Sequence, residues 1–232
     1  VREGEILGIA GLMGSGRTEL AMSIFGRSWG RDIRGRVRIG GREIDVSTVE
    51  KALASGLAYV TEDRKALGLV LEEPIVTNIT LANLAGVSRR GVLDPQAEQG
   101  VAERFRQALG IRTPGVFQRV VNLSGGNQQK VLLSKLLFTE PRVLILDEPT
   151  RGIDVGAKFE IYGIMNRLVA EGRGVVMILL GDARASGHVR PHRRDGRGAH
   201  PGGARGRGGK SGTHHVHHPA GPPEGGGRPW LK

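Results

Sequence analysis

Apolar residues along this chain alternate between two spacings. Short runs stopped or started by glycine predict strands: Glu5-Ile6-Leu7-Gly8-Ile9-Ala10, Gly56-Leu57-Ala58-Tyr59-Val60, Val143-Leu144-Ile145-Leu146 and Gly174-Val175-Val176-Met177-Ile178. The run at 143–146 is continuously apolar, as a strand buried on both faces must be. Longer stretches predict helices at Arg17–Phe25, at Ser124–Thr139 with apolar Val131, Leu132, Leu133, Leu136 and Leu137, and at Ala157–Glu171. Residues 76–109 read as mostly helical, with a loop around Arg89-Arg90-Gly91. Val37-Arg38-Ile39 and Arg42-Glu43-Ile44 flank Gly40-Gly41, a hairpin pattern. Strands alternating with helices predict an α/β fold with a mainly parallel sheet. There is no internal repeat.

After Leu180 the pattern collapses. From 181 to 232 the chain holds no Ile, Phe or Tyr and one Leu, but all seven His and fourteen of the thirty-eight Gly. So little apolar surface predicts a disordered or non-native tail. That tail also explains the charge. The formal net charge of +11 resembles that of a nucleic-acid binder, yet ten Lys/Arg against three acids in the tail leave only +4 for the first 180 residues. The absence of cysteine excludes a disulfide framework and a Cys-based metal site, and fits a reducing compartment. No apolar run approaches the ~20 residues of a membrane span. The opening Val1-Arg2-Glu3-Gly4-Glu5 has neither an initiator Met nor a signal-peptide layout, and we expect the chain to be a piece of a longer one.

Three motifs carry chemistry. Gly11-Leu12-Met13-Gly14-Ser15-Gly16-Arg17-Thr18 follows a predicted strand and opens a predicted helix, the setting of a phosphate-binding P-loop. Glycines let backbone amides converge on phosphate oxygens, the helix N-terminus favours the anion, and the Thr18 hydroxyl can reach Mg²⁺. Arg17 stands where the standard motif has Lys, keeping the charge but not its compact shape. The plain alternative is a ligand-free strand-to-helix turn. Asp147-Glu148 ends a buried strand at the sheet edge where α/β ligands bind. Asp147 can hold magnesium and Glu148 can polarise the attacking water, unless the pair merely caps the next segment. Leu123-Ser124-Gly125-Gly126-Asn127 lies roughly twenty residues earlier. It is either a capped helix start or a second anion-binding turn.

In this order and spacing the motifs resemble the ATP-binding-cassette (ABC) ATPases over residues 1–180. The closer resemblance is to the second, C-terminal nucleotide-binding half of tandem ATP-binding subunits of bacterial monosaccharide importers of the ribose, xylose and galactose type. It rests on Gly11 to Leu20, Glu62-Asp63-Arg64-Lys65, Asn127-Gln128-Gln129-Lys130 and Glu148 to Lys158. Arg17 is usual in that half. The resemblance implies a P-loop NTPase of the ABC type: an ATP-binding core at 1–65 and 123–180, a helical subdomain at 66–122 and the tail at 181–232. It implies ATP and Mg²⁺ as cofactors. Gly11, Gly14, Ser15, Gly16, Arg17, Thr18 and Glu19 would bind nucleotide, Thr18 and Asp147 the metal, and Glu148 would be catalytic. Glu62 occupies the Q-loop position and Asp154 the D-loop position. Because such domains pack head to tail, Ser124, Gly125, Gly126 and Asn127 form the signature that completes the partner's ATP site.

The implied partners are the N-terminal nucleotide-binding half or a second copy, a transmembrane permease, and indirectly a periplasmic or lipid-anchored sugar-binding protein. The implied place is the cytoplasmic face of the cell membrane, as a peripheral subunit. The implied activity is ATP hydrolysis coupled to sugar import. The alternative is a non-catalytic half that supplies its signature, favoured by Arg17, Glu62 and the missing switch segment. An ABC ATPase acting on nucleic acid is not expected, since the basic charge lies in the tail.

The resemblance stops after Ile178. Most ABC domains place a switch His next, whereas Leu179-Leu180-Gly181-Asp182-Ala183 follows here and His188 lies too far on. The aromatic residue that stacks on adenine in the family would precede Val1. Back-translated and read one base over, residues 179–197 give SSEMPELRGMSDRIVVMA, which resembles the family's continuation. Asp182, His188 and His192 constrain that reading, because each has only two codons. The expectation is a frameshift from about Leu179 onward, by sequencing error or a real lesion, so that the His214-His215-Val216-His217-His218 stretch needs no metal. Resequencing the gene checks this: a missing or extra base near codon 179 is expected, and a continuous frame contradicts it.

Overall fold

The computed structural model describes residues 1–12 and 14–181. Four parallel strands form the central sheet: β1 (Ile6–Gly11), then in chain order after the antiparallel hairpin of β2 (Val37–Ile39) and β3 (Arg42–Ile44) come β4 (Leu57–Val60), β7 (Val143–Asp147) and β8 (Gly174–Leu180). Their spatial order is β1-β8-β7-β4. Between them run α1 (Arg17–Ile24), α2 (Val49–Ala54), α3 (Ile75–Thr80), a small hairpin of β5 (Ser88–Arg89) and β6 (Val92–Leu93), α4 (Pro95–Ala108), α5 (Gly125–Leu137) and α6 (Val155–Ala170).

The sheet is covered on both faces, which is why its strands read as continuous apolar runs. Ile145 and Ile178 point to one face, where they join Ala21 of α1, Phe25 just after it, Ala52 of α2 and Ile39 of the β2–β3 hairpin in one buried cluster. By the two-residue period of a strand, Leu144, Leu146 and Met177 turn the other way, and α5 and α6 pack over β4 and β8. Each such fully buried side chain contributes about 1.5–3 kcal/mol relative to exposure.

Local chemistry fixes where the helices begin. Asp94 caps α4, accepting from the Gln96 and Ala97 amides, and Pro95 fills the first helical position. Ser124 caps α5 through the Asn127 amide, and Asp154 caps α6 through Ala157 at 2.8 Å. α1 differs. Its N-cap, Gly16, is left-handed (φ 79°) and offers no side chain, so the first amides keep their donors.

One expectation is borne out in more detail and another needs correction. Residues 76–109 are mostly helical, in α3, a 3₁₀ turn at Leu84–Val87 and α4, and the loop expected around Arg89-Arg90-Gly91 is the turn of the β5–β6 hairpin. Arg90 (φ 52°) and Gly91 (φ 81°) are both left-handed, as a two-residue hairpin turn requires, and apolar periodicity does not register that. β8 extends two residues beyond Ile178, because Leu179 and Leu180 find ladder partners in Ala10 and Gly11 of β1. Beyond Gly181 the expected tail, the frame change and the His214–His218 stretch lie outside the described residues.

α5 links the two regions assigned from sequence to core and helical subdomain. It packs on β4 and also on α3, and Phe105 of α4 meets Phe138 at its C-terminal end edge to face, 6.3 Å between centroids. A buried cation adds to this junction. Lys130 on α5 is 3 % exposed and donates to Gly110 O at 2.7 Å and Glu160 Oε2 of α6 at 2.6 Å. That hydrogen bond, followed by the Lys130 and Arg112 charges, holds Glu160 below the usual carboxylate range.

Candidate functional site

Parallel strands put their C-terminal ends on one edge, and the predicted motifs sit there. β1 ends at Gly11 and β7 at Asp147, with the end of β8 between them. Gly14, Ser15, Gly16, Arg17, Thr18 and Glu19 line a cleft of about 180 Å³ together with Glu62, Asp147, Glu148, Ile178 and Leu180. So ten predicted residues and two β8 side chains meet around this edge, Gly11 entering through the contacts of Arg17. The Arg17 guanidinium donates from Nη2 to Leu12 O at 3.0 Å and lies against Gly11, where an added Cβ would be 2.3 Å from Nη1.

The cleft gathers polar atoms that the protein does not satisfy. Arg17 Nε and Nη1, Asp147 Oδ1 and Glu148 Oε1 are buried without a hydrogen-bond partner among the described residues. Asp147 is 0 % exposed. Buried polar atoms are ordinarily paired, so four of them around one cleft fit an ionic ligand there. Glu148 is also held in a left-handed conformation (φ 45°), with its amide donating to Ile178 O at 3.1 Å. For a non-glycine residue that geometry costs on the order of 1–3 kcal/mol.

Burial raises the Glu148 carboxyl above its ordinary range. A backbone hydrogen bond at Leu180 opposes this, the neighbouring Asp147 charge adds to it, and Arg17 and Arg151 pull it down.

The structure separates one group of predicted residues from this cleft. Ser124, Gly125, Gly126 and Asn127 begin α5 and do not line it. They face the first turn of α6 and the turn that precedes it: a Cβ on Gly126 would be 2.5 Å from Ala157 Cβ, and one on Gly125 would be 3.0 Å from Gly152 O. Asn127 Oδ1 accepts from the Arg112 amide at 3.0 Å, anchoring the helix start to the chain after α4. Asp154 lies in the same turn as the α6 cap.

Sequence reasoning missed Tyr59 and two arginines. Tyr59 donates from its hydroxyl to Asp147 Oδ2 at 3.0 Å, which leaves Oδ1 as the free oxygen. Burial, then the Asp147 charge, raises the Tyr59 phenol, so it remains a donor. A Tyr at the end of a strand beside the acidic strand was the available signal. Arg151 pairs with Glu62 at 2.8 Å, and Arg64 donates to the carbonyls of Arg151 and Gly152 at 2.9 and 3.2 Å. Both arginines lie in runs that carry the resemblance, 62–65 and 148–158, but the spacing gives neither a role of its own.

The raised Glu148 pKa has a pH signature. Its folded-state stabilisation is fully present below the unfolded value near 4.5 and is lost as pH rises through the higher folded value. Glu148→Gln removes that titration. Thermal melts across pH are expected to show the variant more stable than wild type at pH 7–8, with the difference shrinking as pH falls through the raised folded value and levelling off below 4.5. A difference that does not change with pH contradicts it.

Comparison with known proteins follows the same outline. The chain is 61 % identical over 178 residues to the L-arabinose transport ATP-binding protein of Geobacillus stearothermophilus, covering 77 % of this chain and 35 % of that protein. It is 54 % identical over 177 residues to the xylose import ATP-binding protein of Thermoanaerobacter pseudethanolicus, covering 76 % and 35 %. It is 52 % identical over 180 residues to a putative ribose/galactose/methyl galactoside import ATP-binding protein of Burkholderia ambifaria, covering 78 % and 34 %. The chain thus spans about a third of the length of the curated relatives it matches. Among solved structures it resembles a dimeric ATP-binding cassette in a post-hydrolysis state bound to ADP and Pi, with TM-score 0.64, 21 % identity, and 79 % of this chain and 78 % of that one covered. A nucleotide-free cassette from an ABC transporter gives TM-score 0.60 at 19 % identity, covering 77 % and 71 %. At those identities the likeness is one of fold. The profile of the family described as ABC transporter matches residues 1–151, well over half the chain. With the cleft residues from Gly14 to Glu148 falling inside that match, the chain belongs to the ABC transporter family and has its P-loop ATPase fold.

Proposed function

We propose that the chain binds and hydrolyses ATP to power import of a monosaccharide across the bacterial cytoplasmic membrane. The observation that carries this is the set of unpartnered buried atoms on Arg17, Asp147 and Glu148 around one cleft. A cation beside two carboxylates fits a polyphosphate carrying a divalent metal. Gly11, Gly14, Ser15, Gly16 and Glu19 shape the loop, whose amides and the uncapped α1 N-terminus receive phosphate oxygens alongside Arg17. Thr18 and Asp147 would hold magnesium, which when bound offsets phosphate charge. Tyr59 keeps one Asp147 oxygen occupied and the other turned to the ligand. Glu148, with its raised pKa, takes a proton from the attacking water, and Glu62 stands at the cleft rim in the Q-loop position.

The sugar assignment rests on the relatives, whose names specify transport or import of arabinose, xylose or ribose and galactose. On the motif resemblance, with Arg17 in the P-loop, we assign the chain to the second, C-terminal nucleotide-binding domain of a tandem subunit. It would work at the cytoplasmic face against a permease, fed indirectly by a sugar-binding protein. Residues 66–122 would form the helical subdomain facing the permease, with 1–65 and 123–180 as the ATP-binding core. Its nucleotide-binding partner is an N-terminal half or a second copy, to whose ATP Ser124, Gly125, Gly126 and Asn127 are offered, with Asp154 beside them.

One observation favours a second reading, in which this half supplies its signature and turns over little itself. Arg17 has one nitrogen committed to Leu12 O, and the signature residues lie outside its own cleft. Calorimetric titration of MgATP into the protein, followed by a turnover assay, separates these outcomes. Binding is expected to weaken by about tenfold or more in Thr18→Ala and Asp147→Asn, while Glu148→Gln retains binding and loses ~10²–10⁴-fold in turnover. Binding without wild-type turnover supports the second reading. Equal affinity in all variants contradicts both.

A further inference from the structure

Glu62-Asp63-Arg64-Lys65 is one of the runs that carry the family resemblance in the sequence. In the fold it is a grip. Asp63 Oδ1 accepts from the Lys65 and Ala66 amides at 3.1 and 3.0 Å, starting a tight turn over Arg64–Gly68 that carries Arg64 back toward α5. All three nitrogen positions of the half-buried guanidinium are used: Nε donates to Gln128 Oε1 at 3.3 Å, Nη1 to Arg151 O at 2.9 Å and Nη2 to Gly152 O at 3.2 Å. Gln128 is itself 5 % exposed, and its amide nitrogen donates to Val120 O at 3.2 Å, so its orientation is set from both ends. There is no slack beside the guanidinium. A Cβ on Gly125 would lie 2.8 Å from Arg64 Nη2.

The grip is reciprocal. Arg64 holds the carbonyls of Arg151 and Gly152, while the Arg151 side chain holds Glu62 at 2.8 Å. Glu62 lines the nucleotide cleft, whereas Gln128 lies on the second turn of the signature helix. One continuous chain of contacts therefore runs from the cleft rim through Glu62, Arg151 and Arg64 to the start of α5. Burial lowers the Arg64 pKa, which Asp63 opposes. Lysine cannot replace the fork, since one ammonium does not reach three acceptors disposed about a plane.

We infer that Arg64 is a positioning residue that couples the nucleotide cleft to the signature residues Ser124–Asn127. This rests on the ATP-site reading above. Nucleotide that shifts Glu62 moves Arg151, and Arg64 carries the shift to the helix start that the partner's ATP would meet.

Amide hydrogen exchange on the whole protein, with and without magnesium and a non-hydrolysable ATP analogue, tests this. In wild type the analogue is expected to change protection at 125–128, although those residues do not line the cleft. In Arg64→Ala the analogue's Kd in its own cleft stays within about threefold, while the response at 125–128 falls by about tenfold or more. Arg64→Lys gives less than half the wild-type response at unchanged Kd. An undiminished response in Arg64→Ala overturns the inference. If Arg64→Ala does not melt cooperatively, Arg64→Lys decides in its place, and a wild-type response there overturns it. Wild-type binding with no response at 125–128 defeats this inference alone. Absence of wild-type binding defeats the ATP-site reading, and the inference with it.

Discussion

The arrangement depends on β8 lying between β1 and β7. Its register sets Leu180 beside Gly11 on one side and Ile178 beside Asp147 on the other. That ladder brings the glycine-rich loop and the acidic pair, more than a hundred residues apart in sequence, to one edge. It also fixes Glu148, whose amide bonds Ile178 O, in a left-handed conformation that only surrounding structure can maintain. The strain and the unpartnered atoms occur together, at the place where the fold has least freedom.

Electrostatics in the cleft follows from that packing. Asp147 is wholly buried, beside a Glu148 that burial makes reluctant to ionise. Tyr59 stabilises one Asp147 oxygen and Arg17 supplies a nearby positive charge. Such a group of charges and free donors is stable only in part without a ligand, and Arg17 turns one donor back to its own loop at Leu12 O. The start of α5 is held by different means. A glycine pair leaves room for the turn before α6, and Arg64 fills what remains.

Much of this was legible in the residues. Apolar runs at 143–146 and 174–178 located the central strands because strands covered on both faces need continuous apolar sequence. Glycines at 11, 14 and 16 and the pair at 147–148 located the cleft because phosphate approach and metal binding demand those residue types at strand ends. The β5–β6 hairpin was legible only as a loop around Arg89-Arg90-Gly91, since its two-residue strands are too short to show an alternating pattern. Leu179 and Leu180 looked like the start of a broken segment, yet ladder bonds with β1 accept any side chain. Tyr59, Arg64 and Arg151 stayed hidden for a related reason. Their roles come from contacts between segments about ninety residues apart, and no local spacing encodes them.

The central claim is that one cleft at this sheet edge takes the nucleotide while the signature residues of the same chain face elsewhere. A crystal structure of the protein with magnesium and a non-hydrolysable ATP analogue tests it most directly. The account predicts the polyphosphate against Arg17 and the Gly14–Thr18 amides, with the metal at Thr18 and Asp147. A nucleotide seated on Ser124–Asn127 of its own chain, away from Arg17 and Asp147, would contradict it.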